Sequence, residues 1–71
     1  MLVFEIDRAT LRDYRGDVAQ IIAAGEYVPR DDEFIRRAFN YGHGTPADFK
    51  KYRDNNRVFC EWYDPATGSF I

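Results

Sequence analysis

The stretch RVFCEWYDPATGSFI, Arg57 to Ile71, constrains the fold of this chain more than any other. Val58 to Tyr63 is rich in β-branched and aromatic residues, as a strand requires. Asp64-Pro65-Ala66-Thr67-Gly68 reads as a type I turn closed by a left-handed glycine, and Ser69 to Ile71 start a return strand. Side chains alternate across a strand, so Val58, Cys60 and Trp62 point one way and Phe59, Glu61 and Tyr63 the other. Both sets carry large rings. Whatever covers the Trp62 side leaves the Tyr63 side to be accounted for.

The remaining elements follow from periodicity and caps. Leu2, Phe4 and Ile6 alternate with Val3, Glu5 and Asp7, the pattern of a short strand with one face on the core. Thr10 stands as an N-cap before the stripe Leu11, Tyr14, Val18, Ile21 and Ile22, which Gly25 stops. Gly16 falls inside that helix, at about 1 kcal/mol relative to Ala. Pro29 marks a break, and Asp31 or Asp32 caps a second helix through Phe34, Ile35, Ala38 and Phe39, fading at Asn40 to Gly42. Thr45, Pro46 and Asp48 form the best helix start in the chain. The third helix presents Phe49 and Tyr52 on one side.

The expected architecture is α+β, ordered β-α-α-α-β-β: a three-stranded, mainly antiparallel sheet with helices mostly on one face. Residues 1–71 make a single compact domain. Of the staples that small domains use, an intrachain disulfide and a structural zinc site are both excluded, because Cys60 and His43 are the only residues of their kinds. Six Phe, five Tyr and one Trp supply a dense aromatic core instead. With helices on one face, Phe59 and Tyr63, joined by Val3, form an apolar-aromatic patch on the other, suited to a homodimer or a partner. The alternative is that the first helix or the termini wrap that face.

Charge is uneven. Residues 1–33 carry four basic and eight acidic side chains, whereas residues 34–57 carry six basic and two acidic ones. Arg36, Arg37, His43, Lys50, Lys51, Arg53 and Arg57 therefore make a candidate partner-binding surface. Its two helices and glycine-containing connection resemble a helix-turn-helix in outline, which gives a DNA- or RNA-binding reading. The twelve acids of the chain favour a protein partner instead.

Catalytic signals are weak. Cys60 and His43 are a nucleophile and base in name only, since Cys60 lies mid-strand on the expected core side. The glycines around His43 have neither the lysine nor the spacing of a phosphate loop. No catalytic residue, cofactor or metal is expected. The opening MLVFEID does not resemble a secretion signal, and no segment is apolar enough for a membrane span, so the cytoplasm is the expected location. The reading is a small non-catalytic accessory or regulatory protein that binds a macromolecule, most simply another protein.

Overall fold

The computed structural model describes residues 1–40 and 43–71. Strand β1 (Leu2–Asp7) leads into helices α1 (Arg8–Asp13) and α2 (Val18–Ala24), followed by β2 (Val28–Asp31). Helices α3 (Asp32–Phe39) and α4 (Pro46–Asn56) then lead to β3 (Cys60–Asp64) and β4 (Ser69–Phe70). The strands form one antiparallel sheet in the order β2-β1-β3-β4. The α+β class and the closing hairpin are as expected, and Gly68 takes its left-handed conformation at φ 72°. The sheet has four strands where three were expected.

The extra strand is β2. Pro29 reads as a break in sequence, but β2 is an edge strand, where a missing backbone N–H is tolerated. The single first helix also divides in two. Asp7, not Thr10, caps α1, its side chain accepting from the Ala9 N–H at 2.8 Å. Arg15 and Gly16 are both left-handed, and the Arg15 and Gly16 N–H groups bond back to the carbonyls of Arg12 and Leu11. That is a Schellman ending. Asp17 then caps α2 by accepting from the Gln20 N–H. Gly16 is thus a chain reversal, not a tolerated residue in a helix interior.

Asp31 caps α3 through the Phe34 N–H, and left-handed Asn40 ends it. Gly42, expected to stop this helix, lies outside the described residues. Thr45 and Asp48 form the anticipated capping box of α4, with Pro46 in its first turn. Asp48 accepts from the backbone N–H groups of His43 and Thr45, which hold its carboxyl below the usual 3.8. Gly44 is left-handed and lies against α3 so closely that a Cβ there would sit 1.6 Å from the Cβ of Asp32. Glycine is required at this junction.

Register decides the two faces, because paired residues of antiparallel strands share a side. Glu5 pairs with Trp62 and Asp7 with Cys60, so Val3, Glu5 and Asp7 lie on the Trp62 side. There Val3, Ile35, Phe49, Cys60 and Trp62 form the main core, with Phe34, Tyr52 and Val58 packed against it. Edge-on ring contacts run from Phe39 and Phe34 through Tyr52 and Trp62 to Phe49. Helices α3 and α4 therefore cover this face around Val3 and Trp62. Ile6 and Ile21 are also fully buried but stand outside that cluster. Ile6 pairs with Glu61 on the opposite face, where α1 packs on β1 and α2 on α1. Helices lie on both faces, not mostly on one.

Candidate functional site

The α1–α2 pair closes only the Ile6 end of its face. The rest is open. Phe4 pairs with Pro29 on one side and Tyr63 on the other, and Tyr63 pairs with Phe70. These four residues make a row across all four strands, on the face away from Trp62. The Tyr63 and Phe70 rings meet edge-on at 5.4 Å, and Phe4 contacts Tyr27 at 4.3 Å. Leu2 and Phe70 are 47% and 43% exposed at its margins.

This row partly matches the aromatic patch expected from sequence. Tyr63 is in it. Val3 is not: it is fully buried beside Trp62, because the register puts it with Glu5 on the core side. Phe59 is 79% exposed but precedes β3, so strand alternation does not place it in the row with Tyr63. Glu61 lies between them and receives Arg8 at 2.9 Å and Arg53 at 3.1 Å. Leu2, Phe4 and Phe70 are the residues that sequence reasoning missed. For Leu2 and Phe4 the signal is the Leu2-Phe4-Ile6 alternation, which by itself reads as a core face; Phe70 joins them only through its pairing with Tyr63.

The basic surface is less free than its charge count implies. Asp32 and Glu33 open α3 and take Arg36 at 3.4 Å and Arg37 at 2.6 Å, each one turn along. Arg53 is only 16% exposed; it bridges Glu61 and Asp54 and donates to the Ile71 carbonyl. Arg57 adopts the left-handed conformation that ends α4. His43, Lys50, Lys51 and Arg57 are exposed, and the His43 backbone is tied to Asp48. Exposed ion pairs are weak, so Arg36 and Arg37 can still exchange partners. The acids beside them nonetheless dilute the positive field that a phosphate backbone would need.

Cys60 lies on the core side and its thiol is pushed up to about 12, first by burial and then by the neighbouring Glu5 carboxylate. At neutral pH it is a protonated, poor nucleophile. Among the described residues, the Trp62 Nε1–H finds no hydrogen bond of ordinary geometry. Trp62 acts on the Cys60 thiol in the opposite direction to burial. His43 is absent from the cleft that Cys60 borders. Among the described residues no group of three or more His, Cys, Asp or Glu side chains can hold a metal ion, and no helix is long and apolar enough to cross a membrane. No protein-family model, curated protein or solved structure matches this chain.

Proposed function

We propose that this is a small, non-catalytic accessory or regulatory protein of the cytoplasm that binds a protein partner through its open sheet face. The observation that carries the reading is the row Pro29, Phe4, Tyr63 and Phe70, only partly covered, while α3 and α4 pack closely on the Val3 end of the opposite face. Contiguous, partly exposed aromatic area characterises interfaces. The short edge strand β4 continues the surface. His43, Lys50, Lys51 and Arg57 offer a second contact for an acidic part of the same partner. Nucleic acid is the less favoured partner because Arg36, Arg37 and Arg53 already hold carboxylates.

The test is affinity capture from a native lysate with three forms of the protein. The wild type is expected to recover one dominant protein, Tyr63→Asp to lose it, and the double variant Lys50→Glu, Lys51→Glu to weaken its capture. Recovery that survives Tyr63→Asp overturns the sheet-face assignment. Salt-sensitive retention of DNA or RNA at about 50 mM salt, with no protein recovered, overturns the protein partner. A wild type that elutes alone at twice the chain mass replaces that partner with a second copy.

A further inference from the structure

The Trp62 face is sealed at its Val3 end but not at its Asp7 end. Helices α3 and α4 stop short there, and a cleft of about 610 Å³ opens between the end of β1, the entry to β2 and the entry to β3. Val28, Val58, Phe59 and Cys60 give it an apolar lining. Phe59 is the most exposed large apolar side chain among the described residues, and it sits at the rim. Around this apolar surface stand Glu5, Asp7 and Glu26, and among the described residues no basic side chain lines the cleft.

The three acids are not equivalent. Glu5 is compensated by Arg30 at 2.9 Å, and that arginine in turn lies over the Phe34 ring. Asp7 gives one oxygen to the α1 cap. Glu26 has no ion pair or side-chain hydrogen bond among the described residues; its backbone N–H closes α2 onto Ile21. A carboxylate with open coordination and an exposed ring, lining one cleft with apolar side chains, are complementary to a flat cation carried on an apolar stem. Arginine has that form: a planar guanidinium that pairs with carboxylate, stacks on rings and arrives on three methylenes. A lysine ammonium is a compact and more strongly hydrated charge, and it uses the ring less well.

We infer that this cleft receives an arginine side chain of a protein partner, with the guanidinium between Glu26 and the Phe59 ring. The inference rests on the protein-binding reading for the source of the arginine. The cleft itself is tested without any partner.

The experiment is a titration of the ¹⁵N-labelled protein with N-acetyl-arginine amide, with N-acetyl-citrulline amide as the uncharged probe of the same shape. The arginine probe is expected to move the amide signals of Glu26, Val28 and Phe59 saturably, and the citrulline probe to leave them in place. Phe59→Ala and Glu26→Gln should each weaken binding about five-fold. Both side chains are exposed, so an unchanged signal dispersion elsewhere shows that the variants fold. No saturable movement at the cleft, or equal movement with citrulline, overturns the inference. Arginine binding without any captured partner rejects only the protein-partner reading. A captured partner without arginine binding rejects only the cleft.

Discussion

The two faces of the sheet are made from the same strands and end in opposite states. On one, Val3, Cys60 and Trp62 meet Ile35 and Phe49 from α3 and α4, and ring contacts extend without a break to Phe39. On the other, Ile6 is covered, while Phe4, Tyr63 and Phe70 run out to an exposed edge. The difference lies in the helices rather than in the strands. Helices α3 and α4 total 19 residues and are locked at their junction by Gly44 and the Thr45–Asp48 box; α1 and α2 total 13 and are divided by a chain reversal. The shorter pair cannot span the face. Stability therefore concentrates on the Trp62 side, and the surface proposed to meet a partner lies on the Tyr63 side.

Substitutions should separate the two faces. Trp62→Ala is expected to remove about 3–5 kcal/mol, enough to unfold much of a domain this small, whereas thermal melts that fall by little would break the comparison. Gly44→Ala comes next at about 2 kcal/mol or more, since it adds a collision with Asp32 to a left-handed backbone. Gly16→Ala shares the left-handed strain but meets nothing within 4 Å, so about 1 kcal/mol is expected. Equal losses from the two glycines would show that the α3–α4 junction is not specially tight. Thr45→Ala should cost about 1 kcal/mol through the lost cap.

Acid sharpens the same point. The backbone N–H groups on Asp48 lower its folded pKa, so its contribution is fully present above the unfolded value near 3.8 and is lost as pH falls through the lower folded value. Asp48→Asn should flatten that part of the acid denaturation curve. Smallest of all, Phe70→Ser on the open face should shift stability by no more than about 0.5 kcal/mol in a chemical denaturation series.

Sequence was informative where local chemistry governs. The Thr45-Pro46-Asp48 start, the Gly25 stop and the left-handed Gly68 are each dictated within a few residues. It was less informative where the partner of a residue is distant. Pro29 is a break in isolation, and only its place at a sheet edge makes it part of a strand. Gly16 fits an interrupted stripe as readily as a reversal, because Leu11, Tyr14 and Val18 keep helical spacing across it. The side to which Val3 belongs depends on the register of β1 against β3, which no local rule supplies. For the same reason Tyr63 was found and Phe4 was not. The charge count from residue 34 onward also left Asp32 and Glu33 outside its window, although they pair with Arg36 and Arg37.

The central claim is that the open sheet face is the surface that meets a protein partner. Its most direct test is a photo-crosslinking amino acid at position 70, with position 23 on α2 as control, and mass spectrometry of the adducts formed in the native host. The account predicts one partner protein joined at position 70 and none at position 23. No adduct at position 70, or the same set of adducts at both positions, would contradict it.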